Sequence, residues 1–353
     1  MTAPSPTMLS ATAVAESLVP QLAAAEPKHD REGVLAEDNL RLLTEAGLLT
    51  LNIPREHGGL GERLSGTIET LRILAQGSPS TALMLAMHTS TLSHYLLDAV
   101  DEEQRAWAYR EAVNGKLFGV ANSEAGAGGN VKHSRAEVRD GRVFGAKSFC
   151  SMGTRADYFM FAARDPQGVV DYWLVANENV SVDTPWNAVG MRSSESVSLK
   201  FDGAPVVGPL AHPGLLEGVN NRHWATLSFT AIFTGIAESL LAEVSKQKSG
   251  ILQATNAVDL HLTLQACRAF LRHCVETEPA VTDDAYRKLV RDCKLYVTRS
   301  LAREASAVWV AQGGSSYRFD SSVSRKLRDL MAGPALRPPV GVSFDELWDE
   351  LAR

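Results

Sequence analysis

The residues with the most chemical content lie at positions 123–130 and read Ser-Glu-Ala-Gly-Ala-Gly-Gly-Asn. They follow the apolar residues 117–121, a pattern typical of a short buried strand. A strand that ends in small residues and glycine leaves backbone N–H groups open and lets a large ligand approach closely. The segment therefore predicts a nucleotide or flavin site, without indicating a reaction.

Two common phosphate-binding motifs are excluded at this segment. Gly126 and Gly128 match the first two glycines of the dinucleotide fingerprint, but Val131 stands where the third glycine is needed. The segment also leads into a predicted hairpin and not into a helix. No Gly-Lys-Ser/Thr follows it, which excludes a P-loop. A surface loop without a ligand is the alternative at this point.

No metal or nucleophile motif accompanies the segment. His88 and His94 lie six residues apart on one predicted helix, so their side chains point in different directions and make a poor metal pair. The chain has neither a Gly-x-Ser-x-Gly elbow nor a His-Glu-x-x-His motif. None of its four cysteines forms a Cys-x-x-Cys pair, so we expect buried, reduced thiols. The prediction is a ligand site without a bound metal.

The composition is that of a soluble globular protein, with 45% hydrophobic and 22% charged residues among 353. A formal net charge of -6 argues against a nucleic-acid surface, because phosphate binding needs clustered lysine and arginine. Near the N-terminus, no Lys or Arg precedes Lys28, and the apolar segment is interrupted by Glu16 and Pro20. That pattern fits neither a secretory signal nor a membrane span. We expect a cytoplasmic location.

The periodicity of the chain predicts an α+β fold in three parts. Residues 1–115 are expected to form a helical domain, residues 116–210 a small β-barrel-like domain, and residues 211–353 a helical bundle. In the first part, Asp38 and Asn39 are expected to cap a helix that ends near Gly47. A second helix, over residues 81–97, is apolar on all sides and is therefore expected to be buried.

In the central part, Asp140-Gly141 between two alternating runs predicts a hairpin with a type I′ turn. Further strands are expected over residues 158–163, 172–176 and 196–201. The last part is expected to contain long helices over residues 225–244, 256–275 and 283–312.

Taken together, residues 38–339 resemble the acyl-CoA dehydrogenase superfamily. Residues 42–61 (LLTEAGLLTLNIPREHGGLG) resemble its N-terminal signature, and residues 123–130 stand where the family has TEPGAGSD. Residues 145–153 match its GxKxWITNG strand, and residues 189–196 match LGMRGTDS. Arg328-Asp329 matches its closing RD pair. Five motifs in the family's order and spacing carry the resemblance.

The resemblance implies a fold with FAD bound between a small β-domain and a four-helix C-terminal domain. Asn122 and Ser123 would then face the flavin pyrimidine, and Gly128 and Gly129 would lie beside the pyrophosphate. Phe149 takes the place of the usual Trp beside the isoalloxazine ring, where an aromatic ring can still pack.

Three further residues take roles from the same resemblance. Ser151 replaces the Thr near flavin N5 and keeps a hydroxyl that can donate a hydrogen bond. Gly313 and Gly314 resemble the glycine pair that approaches the FAD of a neighbouring subunit, which implies a homodimer or homotetramer.

The chain departs from the family at three positions. Gly129 lacks the hydroxyl that usually binds the pyrophosphate, and residues 245–250 lack the Arg-x-x-Phe-Gly stretch that reaches the partner's FAD. The family's catalytic Glu is missing from both of its usual positions, which are occupied here by Arg337 and Ala225. General-base catalysis is worth about 10²–10⁴-fold, and an always-protonated arginine cannot supply it. Arg337 is instead expected to hold an anionic group of the substrate.

Three hypotheses for function follow. The first is an FAD-dependent oxidoreductase that acts on a CH–CH group of an acyl thioester, passes electrons to an acceptor, and uses a base that we do not identify. The second is a flavin-dependent monooxygenase that oxidises a small amine or aromatic compound with oxygen and needs no carboxylate at that position. The third is a non-catalytic relative, which the missing Arg-x-x-Phe-Gly stretch would favour.

Overall fold

The computed structural model describes residues 10–97, 101–127, 131–207, 222–246, 250–278, 284–336 and 338–352. A group of helices precedes a curled sheet, and a second group of helices follows it. This arrangement confirms the predicted fold class. The first helices are α1 (Ala11–Glu32), α2 (Glu37–Glu45), α3 (Leu64–Gly77), α4 (Pro79–Leu97) and α5 (Glu102–Val113).

The start of α2 differs from the prediction. The helix begins at Glu37, so Asp38 lies inside its first turn and does not cap it. The Asp38 carboxylate accepts the neighbouring N–H of Asn39 at 3.1 Å and lies 2.9 Å from Nε2 of the buried His29. The contact with His29 on α1 therefore sets the position of the Asp38 side chain. The other end agrees with the prediction, because the helix ends just before Gly47, which has a φ of 73°.

Helix α4 is buried along its described length, as its composition predicts. The Ser78 hydroxyl accepts the N–H of Thr81 at 3.3 Å and so satisfies a donor in the first turn. The Asn39 amide of α2 donates to the Thr81 hydroxyl at 2.7 Å. These bonds between buried polar groups connect α2 and α4 across the core.

The sheet has seven strands: β1 (Phe118–Ala121), β2 (Glu137–Arg139), β3 (Arg142–Cys150), β4 (Tyr158–Arg164), β5 (Val170–Ala176), β6 (Val180–Thr184) and β7 (Val197–Pro205). Its order is β1-β4-β2-β3-β7-β6, with β5 paired to β4. Asp140 and Gly141 both have positive φ between the antiparallel strands β2 and β3, which confirms the type I′ hairpin. The rings of Phe159 and Phe161 pack edge-on against Phe201 inside the sheet.

The second group of helices is α6 (Arg222–Val244), α7 (Ile251–Glu276), α8 (Asp284–Ala311), α9 (Ser322–Leu330) and α10 (Val340–Leu351). The described part of the chain thus has five helices here, one more than the four that the resemblance implies. The additional helix, α10, is held to α8 by a bidentate ion pair in which Arg291 donates to both oxygens of Glu350 at 2.8 and 3.0 Å.

Helix α6 lies at the centre of the bundle, against α3 and α8. Its backbone approaches α3 so closely at Gly235 that a Cβ there would lie 2.1 Å from the Arg72 carbonyl oxygen. Among the described residues it is the one helix long and apolar enough to cross a membrane, yet two-thirds of that stretch is buried inside the protein. These observations fit a core helix of a globular fold.

Candidate functional site

The segments that carry the central sequence motifs meet at one place. The N–H of Ser148, on β3, donates to the carbonyl of Ser123 at 2.8 Å. Further along the same segment, the N–H of Met152 donates to the carbonyl of Ser194 at 3.0 Å. Backbone hydrogen bonds therefore join the glycine-rich segment, the end of β3 and the turn that precedes β7 into one unit.

The backbone of this unit is strained. Six non-glycine residues in the described ranges have positive φ, and four of them lie here: Phe149, Met152, Met191 and Glu195, at 58°, 59°, 51° and 46°. A positive φ in a residue with a bulky side chain is an uncommon, costly conformation that persists only where the surroundings impose it. Such strain concentrates at ligand and catalytic sites, so this cluster marks the unit as a candidate site.

Phe149 presents an aromatic surface at this site. Its side chain is 61% exposed, although it lies at the end of a buried strand. The ring meets Trp186 edge to face, with centroids 6.2 Å apart. Trp186 is itself fixed because its indole N–H donates to the carbonyl of Met191 at 3.0 Å. Two aromatic residues in this arrangement suit the binding of a flat ring system.

Buried serine hydroxyls form a chain behind the aromatic pair. Ser151 Oγ lies 2.8 Å from Ser196 Oγ, which lies 2.8 Å from Ser194 Oγ. Ser194 donates in turn to the carbonyl of Met191 at 2.8 Å. Since Ser194 uses its proton on Met191, it accepts from Ser196, and Ser196 accepts from Ser151. The Ser151 hydroxyl thus donates to Ser196, toward the interior of the protein. For Ser151 to donate to a ligand instead, the hydrogen bonds along this row of hydroxyl groups would have to reverse direction.

An ion pair that the motifs did not predict holds the glycine-rich segment. The Lys147 ammonium is fully buried and donates to the Glu124 carboxylate at 3.0 Å, to Ser134 Oγ at 2.8 Å and to the Ala162 carbonyl at 2.6 Å. Burial opposes ionisation of Glu124, but the Lys147 charge outweighs it and lowers the pKa of Glu124 to about 2. A lysine on the inward face of a predicted strand was the available signal for this pair.

The site is also tied to the second group of helices. The Asp329 carboxylate, on α9, accepts the N–H of Met191 at 2.7 Å. At Gly190, a Cβ would lie 2.3 Å from the Arg328 carbonyl oxygen, so only glycine fits there. Arg328 also forms an ion pair with Asp30 on α1. The Val189-Gly190-Met191 turn and the closing Arg328-Asp329 pair therefore form direct contacts between sheet and bundle.

The structure brings together Ser123, Phe149 and Ser151 from the predicted site residues. Asn122, next to Ser123 at the end of β1, is buried. Gly313 and Gly314 follow α8 at an open surface, where a Cβ on either residue would meet no atom within 4 Å. Three further predicted residues lie outside the described ranges: Gly128, Gly129 and Arg337.

His88 is a structural residue. Its Nδ1 accepts the N–H of Phe118 at 3.1 Å, and its Nε2 donates to the Leu49 carbonyl at 2.7 Å. Burial lowers its pKa to about 4, so the ring is neutral at physiological pH. Within the described ranges, no three His, Cys, Asp or Glu side chains are arranged to hold a metal ion.

The carboxylates of α6 and α9 all have structural partners. Glu238 forms ion pairs with Arg72 and, at 3.5 Å, with Arg268. Glu243 accepts the Ser322 hydroxyl at 2.7 Å and also pairs with Lys326. The third carboxylate, Asp329, holds the Met191 N–H, as described above. In the described parts of these two helices, each carboxylate is thus held by a contact within the fold.

Comparison with known proteins supports the fold and the motifs. The sequence model of the acyl-CoA dehydrogenase N-terminal domain matches residues 9–116. YdbM of Bacillus subtilis (strain 168), whose name assigns it provisionally to the acyl-CoA dehydrogenases, is 26% identical over 347 residues, or 89% of this chain and 88% of YdbM. The amino sugar nitrososynthase DnmZ of Streptomyces peucetius is 24% identical over 357 residues, or 92% of this chain and 88% of DnmZ.

A solved structure extends the likeness to the whole fold. TdsC from Paenibacillus sp. A11-2, crystallised with FMN bound, superposes with a TM-score of 0.84 and 24% identity, covering 97% of this chain and 98% of TdsC. The N-terminal part of the chain, residues 9–116, matches the acyl-CoA dehydrogenases in sequence. The whole chain shares the fold of that superfamily.

Proposed function

We propose that this protein is a flavin-dependent monooxygenase that oxidises a small amine or aromatic compound with oxygen. The observation that carries the proposal is the engagement of Glu238, Glu243 and Asp329 in structural contacts. These are the carboxylates of the described α6 and α9, the helices beside which the family's base is expected. The two usual base positions themselves are Ala225 and Arg337.

The lack of a carboxylate at the usual base positions matters because of the reaction that a dehydrogenase catalyses. Removal of hydride from the β-carbon of an acyl thioester requires a base at the α-carbon, and such a base contributes about 10²–10⁴-fold to the rate. An oxygen-dependent reaction needs no carboxylate at that position. YdbM, named provisionally as an acyl-CoA dehydrogenase, and TdsC, a dibenzothiophene monooxygenase, each align with most of this chain. The difference in local chemistry therefore supports the choice between the two reactions.

The cofactor that we propose is a flavin bound against Phe149. The exposed Phe149 ring and the edge of Trp186 would support one face of the isoalloxazine system. The backbone at Asn122 and Ser123 would face its pyrimidine edge, and Ser151 would hold its hydroxyl near N5. When bound in its reduced form, the flavin would supply the electrons with which oxygen is activated.

Among flavins, we propose FMN in place of the FAD expected from the family. Gly129 lacks the hydroxyl that would bind a pyrophosphate, and residues 245–250 lack the arginine that reaches a neighbour's FAD. TdsC, which shares the fold, carries FMN. Titration with FMN and with FAD, followed by quenching of flavin fluorescence, tests the choice. Tighter binding of FMN supports it, and tighter binding of FAD overturns it.

We also propose that the protein forms a homo-oligomer in the cytoplasm. Helix α7 carries an exposed apolar stripe that includes Ile251, Val258 and Leu262, with exposed fractions of 88%, 56% and 60%. Contiguous apolar surface of this kind is typical of a contact between proteins. The open surface at Gly313 and Gly314 would allow close approach of a second copy. Multi-angle light scattering of the purified protein distinguishes a monomer from a dimer or tetramer.

Anaerobic mixing with a panel of acyl-CoA thioesters tests the reaction class. We expect the absorbance of oxidised flavin to remain unchanged with every member of the panel, because neither usual position of the base holds a carboxylate that could assist hydride removal. Bleaching of the flavin by any acyl-CoA would overturn the monooxygenase proposal in favour of an acyl-CoA dehydrogenase. A protein that binds neither FMN nor FAD would overturn both enzyme hypotheses.

A further inference from the structure

A small cavity lies away from the candidate flavin site, where α1, α3, α6 and α9 meet. Its volume is about 140 Å³. Its lining includes the apolar residues Ala23, Ala75 and Ile236 and the polar residues Glu26, Ser239 and Arg325. Because the lining offers both kinds of contact, an occupant with one polar and one apolar end fits best.

Arg325 lines this cavity and forms no ion pair with a described side chain. The side chain is 8% exposed, and its one hydrogen bond to a described residue is a long one, 3.5 Å, to Ser322 Oγ. Its neighbours on α9 differ, because Lys326 pairs with Glu243 and Arg328 pairs with Asp30. A buried charge without a partner is costly. The guanidinium N–H groups of Arg325 are therefore available to an anion in the cavity.

Glu26 supplies a second polar group with an unused atom. The residue is 5% exposed, and its Oε2 has no hydrogen-bond partner. Burial raises the pKa of Glu26 to about 8, with a further rise from the Asp329 charge. At neutral pH the carboxyl group is therefore protonated and can donate a hydrogen bond. It does not compete with an anion for Arg325.

We propose that this cavity binds a short-chain monocarboxylate such as acetate or propionate. One carboxylate oxygen would accept from Arg325, and the other would accept the proton of the Glu26 carboxyl group. The hydrocarbon end would lie against Ala23, Ala75 and Ile236. A volume of about 140 Å³ suits two or three carbon atoms with their carboxylate, since a single water molecule takes up about 30 Å³ in the liquid.

The charges around the cavity agree with a single negative ligand. On α1, Glu26 is neutral at pH 7 and Asp30 is paired with Arg328. On α9, Lys326 is paired with Glu243. Asp329 accepts the Met191 N–H and lies close enough to Arg325 for the two charges to interact, but burial raises the pKa of Asp329 to about 7 and so reduces its charge at neutral pH. The linings from α3 and α6 contribute Gln76 and Ser239, which are uncharged. Asp329 therefore offsets only part of the Arg325 charge at pH 7, and a ligand anion can balance the rest.

Saturation-transfer NMR on the full chain tests this proposal. Sodium acetate is titrated at pH 7 with sodium chloride holding the ionic strength constant, and transfer to the acetate methyl protons is followed. We expect saturable binding that Arg325→Met weakens at least tenfold. The control is Arg303→Met, because Arg303 is 73% exposed and pairs with its neighbour Glu304; this variant should bind acetate like the natural chain.

Glu26→Gln gives a second test that does not depend on removing the arginine. The amide still donates a hydrogen bond, so binding at pH 7 should persist. Acetate affinity of the natural chain should fall between pH 7 and pH 9 as Glu26 ionises, and the variant should keep only the smaller fall near pH 7 that ionisation of Asp329 causes. Absence of saturable transfer with the natural chain overturns the proposal. So does equal binding by Arg325→Met, or an unchanged pH profile in Glu26→Gln.

Discussion

The buried Lys147 ammonium donates to the Glu124 carboxylate at 3.0 Å and so joins strand β3 to the glycine-rich segment that follows β1. Ser123, the first residue of that segment, is bonded to the same strand through the N–H of Ser148. The segment is therefore anchored by an ion pair on one side and by a backbone hydrogen bond on the other. This anchoring fixes the backbone that we expect to face the flavin.

Replacement of Lys147 by methionine should destabilise the protein severely. The change removes the buried counter-charge of Glu124 and leaves the exposed Arg135 guanidinium, 3.2 Å away, as its cationic partner. Breaking a buried pair costs up to about 3–5 kcal/mol. Chemical unfolding measures the loss. Lys200→Met is the matched control, since Lys200 is exposed on the neighbouring strand β7 and should tolerate the change. Equal stability of the two variants would refute the structural role of the pair.

The same pair predicts an acid-dependent loss of stability. The pKa of Glu124 is about 2 in the folded protein, compared with the ordinary value of 4.5 that applies to the unfolded chain. The unfolded chain therefore binds the proton first as the pH falls, and the stabilisation present above pH 4.5 is lost between about pH 4.5 and 2. The Glu124→Gln variant lacks this contribution. The difference in unfolding free energy between natural chain and variant should shrink over that window; a constant difference would contradict the assignment.

Asp329 should matter to both stability and cofactor binding. Asp329→Ala leaves the buried Met191 N–H without an acceptor, which costs about 1–3 kcal/mol. The change also releases the turn at Met191, whose carbonyl accepts the indole N–H of Trp186. Because Trp186 helps to position the flavin-facing Phe149 ring, the affinity for FMN should fall. Asp329→Asn keeps an acceptor oxygen and serves as the control. If the alanine variant retained the stability and the FMN affinity of the asparagine variant, the link between α9 and the site would be wrong.

Phe149→Gly separates a ligand contact from a folding contact. A left-handed conformation costs a non-glycine residue about 1–2 kcal/mol, and glycine adopts it freely. Because the Phe149 side chain is 61% exposed, its removal sacrifices little packing. We expect the stability of the protein without cofactor to stay equal or rise, while FMN binding weakens at least tenfold. Reduced stability with unchanged FMN binding would indicate that Phe149 serves the fold.

Most helices and strands follow from periodicity and turn chemistry, because those signals are local. The Asp140-Gly141 hairpin and the burial of α4 were predictable on this basis. The start of α2 was not, since His29, nine residues away from Asp38, determines what that carboxylate does. Strand β6 (Val180–Thr184) was missed because its apolar alternation is limited to two valines and four of its five residues are exposed.

Within the candidate site, the motifs identified the segments but not their interactions. Residue types at Phe149 and Ser151 indicated a flavin-facing surface. The positive φ of Phe149, the inward hydroxyl chain from Ser151 and the Lys147–Glu124 pair depend on contacts between distant segments. The engagement of Glu238 by Arg72 spans 166 residues, so the lack of a free carboxylate on α6 could be recognised only in the folded chain.

The most direct test of the central claim is oxygen transfer. The protein is loaded with FMN, supplied with a flavin reductase and reduced nicotinamide, and exposed to ¹⁸O₂ with a panel of small amines and aromatic compounds. We predict a product that carries one ¹⁸O atom and that forms only when protein, reduced flavin and oxygen are all present. Formation of a desaturated acyl-CoA under anaerobic conditions, with no ¹⁸O-labelled product from the panel, would contradict the account.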